Sequence, residues 1–300
     1  MTRPLTRTPT QPHIAYSVAG DHGPHILLVM GFGMRGAIWR PQVEGLRRDH
    51  QVVTYDHLGV GDSDPPVTLT AHGRLSSMRA IARAVTMASM ARDALRVLDA
   101  VGWADAHVVG VSMGGMIAQE IALRFPSRVR SLTLVATHPG GVSTAFPSRE
   151  GLRRFAAANL TKEPADRVAA LKRLLYPDEF LERVDVAALD QRITEMAGRR
   201  APGRTIAGHL GAVLRHQTRT RLHRIQAPTM IVRPGQDILI DPHNSDVLAR
   251  AIPNAKVVRF DDAGHGVTFQ CATELNREIA RHVASADAAR RTSAIPATPS

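Results

Sequence analysis

The stretch Ala106-His107-Val108-Val109-Gly110-Val111-Ser112-Met113-Gly114-Gly115-Met116-Ile117-Ala118-Gln119 constrains this chain more than any other. Two β-branched residues, Val108 and Val109, run into Gly-Val-Ser-Met-Gly, and residues that can form a helix follow at once. A strand that meets a helix over so few residues must turn sharply, and Ser112 falls at the tip in strained backbone geometry. Gly110 and Gly114 lack the Cβ atoms that would clash there. Met113 would offer its backbone N–H at a helix N-terminus, where developing negative charge is favoured. The turn would therefore expose a nucleophilic hydroxyl beside a site for an oxyanion. The five-residue pattern is weak alone, and its strand–turn–helix setting strengthens it.

The rest of the chain alternates strand and helix around this turn. Ile14–Val18 alternates as a short strand, and Gly20-Asp21-His22-Gly23 makes a turn. His25–Met30 and Gln51–Tyr55 are near-continuous apolar runs, which predict strands buried on both faces. Gly31-Phe32-Gly33 closes the first run, and the stretch from Asp56 to Asp64 closes the second. Trp39–Leu46 fits a short helix, and residues 86–101 place Met87, Met90, Ala91, Ala94, Leu95 and Leu98 at helical spacing. Beyond Ser112, a helix from Gly115 to Arg124 precedes a buried strand from Val129 to Ala136. Later strands are predicted at Thr229–Arg233 and Ala255–Phe260, with helices at 246–251 and 273–285. This alternation implies right-handed crossovers and a mostly parallel sheet, an α/β fold. Residues 139–220 break it, with amphipathic helices predicted over 149–160, 164–176, 178–198 and 203–216. The expected organisation is a flexible tail at 1–12, a core at 13–138 and 221–286, a helical lid insertion at 139–220, and a flexible tail at 287–300.

Composition narrows the function classes. The single cysteine, Cys271, excludes an internal disulfide and any cysteine-based metal cluster, and reads as a small buried residue. No histidine–carboxylate pair has the spacing of a known ligand motif, so no metal is expected. No stretch is long and apolar enough to span a bilayer, and the N-terminal residues lack the apolar segment of a signal peptide. The expected location is cytoplasmic. A formal net charge of +11 would suit a nucleic-acid partner, but the arginines are scattered from end to end. Aromatic residues make up only 4%, too few for platforms on which bases stack, so no nucleic-acid partner is expected. A general basicity that favours acidic ligands or surfaces is the simpler reading.

A serine hydroxyl is a poor nucleophile near neutral pH without a base, and the base needs an acid to orient it. Of fourteen histidines, His265 fits best, because Phe260-Asp261-Asp262-Ala263-Gly264-His265-Gly266 is a strand end running into a glycine-flanked loop. Asp237, in the turn after Thr229–Val232, is the preferred acid. Asp241 precedes Pro242 and reads as a helix cap, whereas Asp261 and Asp262 lie too near His265 in the chain. His209, His216 and His223 read as surface or capping residues, His57 as shaping a turn, and His107 as lying at the far end of the nucleophile strand. The order Ser112, Asp237, His265 is the one this architecture requires, each residue following a strand's C-terminal end.

Four pieces in this order resemble the α/β-hydrolase superfamily, in its lid-bearing branch. They are Gly110–Gly115, Asp56–Ser63, Gly235–Pro242 and Gly264-His265-Gly266, and the match covers roughly residues 13–285. The resemblance implies an eight-stranded, mostly parallel sheet with helices on both faces. It also implies an oxyanion hole from the backbone N–H groups of Phe32 and Met113. The family's loop usually begins His-Gly; here Met30-Gly31-Phe32-Gly33 stands in its place, which bears on loop orientation and substrate preference. The link at 65–85 is longer than the family's and is expected to add to the lid or the entrance. Pocket candidates are Gly31, Gly33, Met34, His138 and Val267, with Met113 and Met116 as further methionines near the turn.

The implied function is a hydrolase without metal or cofactor that cleaves an ester, thioester or lactone through an acyl-enzyme. A helical lid favours a small to medium hydrophobic acyl substrate. Members with aspartate as nucleophile split carbon–halogen bonds or epoxides, and serine at 112 argues against both. The same three residues also serve haloperoxidase-like and carbon–carbon bond hydrolases, acyltransferases and non-catalytic binding members, and the sequence leaves these open. The insertion's arginines could recognise an acidic group, though most would form a solvated face.

Overall fold

The computed structural model describes residues 5–66, 85–141, 144–145, 147–161, 163–198 and 201–294. Eight strands among them form one sheet: β1 (Thr6–Arg7), β2 (Ala15–Ala19), β3 (His25–Val29), β4 (Gln51–Tyr55), β5 (Ala106–Val111), β6 (Val129–Val135), β7 (Thr229–Pro234) and β8 (Lys256–Phe260). Their order is β1-β2-β4-β3-β5-β6-β7-β8. Only the β1–β2 and β2–β4 pairs are antiparallel; the other five are parallel.

Burial on both faces explains the near-continuous apolar runs. Leu27, Val29, Val108, Leu134 and Ile231 point into one apolar cluster, with α2 (Met87–Ala100) and α3 (Met113–Arg124) over them. Their neighbours Ile26, Leu28, Val109, Val135 and Val232 point into another, covered by α1 (Arg40–Leu46) and α11 (Ala272–Ala294). All six apolar positions that set the helical period of α2 are buried. The helix starts where Thr86 and Ser89 bond reciprocally, each hydroxyl accepting the other's backbone N–H at 3.0 and 2.9 Å. No helix among the described residues is long and apolar enough to cross a membrane.

Between β6 and β7 the described elements are helices: α4 (Arg149–Leu160), α5 (Pro164–Leu175), α6 (Asp178–Leu181), α7 (Val186–Gly198), α8 (Gly203–Leu214) and a 3-10 turn at Arg219–Arg224. The single helix expected over 178–198 is two, because the Asp185 carboxylate accepts the N–H groups of Ala187 and Ala188 and starts a new one. Leu171, Leu174, Leu189 and Ile193 form the insertion's own apolar cluster. Met34, Leu239 and Phe269, from the loops after β3, β7 and β8, pack against it. The base of the insertion is closed by a bridge between Gly140 and Gln217. There the Thr218 N–H donates to the Pro139 carbonyl at 2.8 Å, and its hydroxyl donates to Gln119 at 2.5 Å.

Both stretches expected as flexible tails carry regular structure. Thr6 and Arg7 pair with Tyr16 and Ala15, and Arg7 reaches Asp64 at 3.0 Å. Arg96 donates to the carbonyls of Thr10 and Pro12, both at 2.7 Å. At the other end α11 continues to Ala294, well beyond residue 285. Asp287 lies 3.3 Å from His107 and 3.7 Å from Arg130, which anchors that extra length to the sheet. Most of the 65–85 link lies outside the described residues.

Candidate active site

Ser112 is the single residue between β5 and α3, with φ +55° and ψ −122°. Such a conformation costs a non-glycine residue about 1–3 kcal/mol, so its surroundings must impose it. The Ser112 N–H donates to the Val135 carbonyl at 2.9 Å. Its own carbonyl accepts from the Gly115 N–H at 2.9 Å and the Thr137 hydroxyl at 2.7 Å. A Cβ at Gly110 would collide with the Gly114 carbonyl, and one at Gly114 with the Val29 carbonyl. The two glycines of the pattern are thus required by close backbone approach.

Asp237 follows β7 and its carboxylate is fully buried. One oxygen accepts from His265 Nδ1 at 2.7 Å. The other accepts the N–H groups of Leu239 and Ile240 at 2.9 and 2.8 Å. With both oxygens engaged the carboxylate is fixed, and a neutral imidazole that donates from Nδ1 has Nε2 as its acceptor. The structure brings His265 to this aspartate rather than to its rivals. Asp241 instead accepts the His243 N–H at 2.8 Å at the start of α9 (His243–Ala251). Asp261 and Asp262 lie exposed in the turn between β8 and His265.

Ser112 and His265 line one cavity of about 100 Å³, together with Gly31, Phe32, Gly33 and Met34 from the loop after β3. Among the described residues neither the Phe32 nor the Met113 N–H has a hydrogen-bond partner. Two expected lining residues lie elsewhere. His138 sits beside His216, ring centroids 6.1 Å apart, and accepts the Gly140 N–H at 3.1 Å. Val267 opens α10 (Val267–Gln270) and points into the core under α11. Met113 and Met116 are core side chains between α3 and the sheet. Cys271 is half-buried, and burial pushes its thiol up to about 11. Among the described residues no group of three or more His, Cys, Asp or Glu side chains is placed to hold a metal ion.

A family model described as alpha/beta hydrolase fold matches residues 24–270. The chain belongs to the α/β-hydrolase fold family. A protein of Azorhizobium caulinodans named as a carbamate hydrolase, RutD, is 35% identical over 253 residues, 83% of this chain and 87% of that one. The enol-lactonase of Burkholderia xenovorans LB400 superposes with a TM-score of 0.75 at 21% identity, covering 94% of this chain and 100% of that one. A thermophilic esterase from Thermogutta terrifontis gives 0.73 at 22%, covering 95% and 99%. At those identities the two structures share the fold. With the family match and a hydrolase as relative over most of its length, the protein is an enzyme of the hydrolase class.

In this α/β-hydrolase the insertion is bonded to the loops after β3, β7 and β8, which border the cavity. His209 of α8 accepts the Gly33 N–H at 3.3 Å. The Gly266 N–H, beside His265, donates to the Leu175 carbonyl at 2.8 Å. The Ser148 N–H donates to the Ile238 carbonyl, beside Asp237, at 3.3 Å. The sequence suggested surface or capping roles for His209 and His216; both are buried. Burial, and then the neighbouring His57, hold the His209 imidazole down at about 3, so it is the neutral acceptor Gly33 needs. His57 donates from Nε2 to the Met30 carbonyl at 2.8 Å, which fixes the start of the same loop. Sequence reasoning also missed the polar residues that the insertion contributes to the cavity wall, Asn159, Arg167, Tyr176 and Arg192. Helical periodicity predicts these helices but not which of their turns meets the sheet edge.

Proposed function

We propose that Ser112, His265 and Asp237 form the catalytic triad of a serine hydrolase that cleaves a small ester, thioester or lactone through an acyl-enzyme. His265 takes the Ser112 proton as the hydroxyl oxygen attacks the substrate carbonyl. The Phe32 and Met113 N–H groups receive the oxyanion, and collapse of the tetrahedral intermediate expels the leaving group, protonated by His265. Water, deprotonated by His265, then attacks the acyl carbonyl and releases the acid and free Ser112. Asp237 holds the imidazole in the required tautomer throughout.

One observation carries this reading: the buried 2.7 Å Asp237–His265 bond ends on the same cavity as a serine held at φ +55°. The helical insertion acts as its lid. A carbamate carbonyl would be attacked in the same way, and the 35% identical relative named for that substrate class gives it a place in any screen. The test is labelling with a fluorophosphonate probe, with mass spectrometry to locate the adduct and Ser112→Ala as control. Stoichiometric modification of Ser112 is expected. A folded protein that turns over p-nitrophenyl esters while Ser112 stays unmodified overturns the assignment.

A further inference from the structure

Arg192, on α7, lines the cavity that contains Ser112 and is 6% exposed. Its guanidinium carbon lies 4.9 Å over the Phe269 ring, Tyr176 interacts with it, and its Nε has no hydrogen-bond partner. Arg167, from α5, lines the same wall. Among the described residues no Asp or Glu lines the cavity and no carboxylate forms an ion pair with Arg192. On α4, by contrast, Arg153 and Arg154 are both paired with Glu150.

A buried cation without a counter-ion costs several kcal/mol, and an aromatic face returns only part of that. Arginine cannot escape by giving up its proton, since the guanidinium is not deprotonated in proteins. An unpaired guanidinium on the wall of a reactive cavity is stabilised when the ligand itself brings the anion. Its planar fork matches a carboxylate, with two parallel N–H···O bonds.

We infer that Arg192 is the anchor of an anion subsite, with Arg167 beside it, and that the substrate of Ser112 carries a carboxylate. The inference rests on the proposed role of Ser112 and narrows it from a small acyl compound to a small anionic one. Arg192 and Ser112 line the same cavity, so one bound molecule would present both the carboxylate and the scissile carbonyl.

Two measurements separate this inference from the reading beneath it. The first compares kcat/KM on p-nitrophenyl hemiglutarate with that on p-nitrophenyl butyrate, in the wild type, Arg192→Lys and Arg192→Met. Methionine keeps much of the stem's volume without the charge, and circular dichroism checks that each variant is folded. The wild type should prefer the anionic ester. Arg192→Met should lose about 30- to 100-fold on it, the scale of a charge-assisted hydrogen-bond pair, and its loss on butyrate should be at least about tenfold smaller. Arg192→Lys should fall between, with the loss in KM. Equal losses on both esters, or a wild type indifferent to the carboxylate, overturn the subsite. The second measures the glutarate-induced rise in Tm of Ser112→Ala and of Ser112→Ala/Arg192→Met, and needs no turnover. A rise in the first that vanishes in the second supports the subsite even if labelling fails at Ser112. Equal rises, or none in either, overturn it even if labelling succeeds.

Discussion

His209 accepts the Gly33 N–H at 3.3 Å, a bond that joins residues 176 positions apart and ties the helical insertion to the loop bordering Ser112. His209 has no alternative partner in water, because it is buried. The position of the loop after β3, and with it the Phe32 N–H, depends on an imidazole that reads in the sequence as a surface or capping residue.

Replacement of His209 by leucine should leave the Gly33 N–H without an acceptor at a cost of about 1–3 kcal/mol. A urea titration should show the lower midpoint, and kcat/KM should fall because the proposed oxyanion donors lose their alignment. His209→Gln, whose amide oxygen can accept the same N–H, should recover most of both. A leucine variant with unchanged kcat/KM would remove the loop from the reaction.

Asp237→Asn should keep the fold and lower kcat by about 10⁴-fold, the cost of a wrong histidine tautomer in such triads. The amide oxygen can still accept from Leu239 and Ile240, which turns the NH₂ toward His265. Nδ1 must then accept, and Nε2 carries the proton that should come from Ser112. Steady-state kinetics on a p-nitrophenyl ester, alongside an unchanged circular dichroism spectrum, checks this.

Ser112→Ala should remove turnover of every substrate while leaving thermal unfolding within about 0.5 kcal/mol of the wild type, because the backbone strain is the same for both residues. A variant with residual turnover above about one part in 10³ would point to a different nucleophile. Burst kinetics of the wild type supplies the positive control.

Stability should fall steeply in mild acid. Burial holds His209 and His216 at about 3 and His138 at about 4, all below the ordinary 6.5. The unfolded chain takes up these protons below about pH 6.5 while the folded one does not, so protonation favours unfolding. Full stability is present above 6.5 and is lost as pH drops toward the folded values, at up to about 1.4 kcal/mol per pH unit for each group. Urea midpoints at pH 7.5, 5.5 and 4.5 measure the slope. Removing a group by His216→Gln should make it shallower.

The sheet was legible because its signals are local. Near-continuous apolar runs mark β3 and β4, and the six buried positions of α2 follow one helical period. The candidate triad residues were legible for a related reason: each lies in the loop that follows a strand's C-terminal end, and the glycines around Ser112 are required by its turn. β1 was not, since two residues carry no period, and its place depends on Arg7 meeting Asp64 from 57 positions away. His138, beside His216, and the cavity side of α7 depend on how helices meet across the insertion, which no single segment encodes.

The bridge between Gly140 and Gln217, with Thr218 bonded to Pro139 and Gln119, gathers both ends of the insertion at one point. A segment tethered at its root can grow or shrink at small entropic cost, since closure depends only weakly on loop length. Ser112 lies upstream of that root and Asp237 and His265 downstream, so none of the three proposed reacting groups belongs to the exchangeable part. Under the proposed function, chemistry and selectivity are in this way separately heritable: a lineage can replace the whole cassette, arginines included, and keep the machinery that breaks the bond.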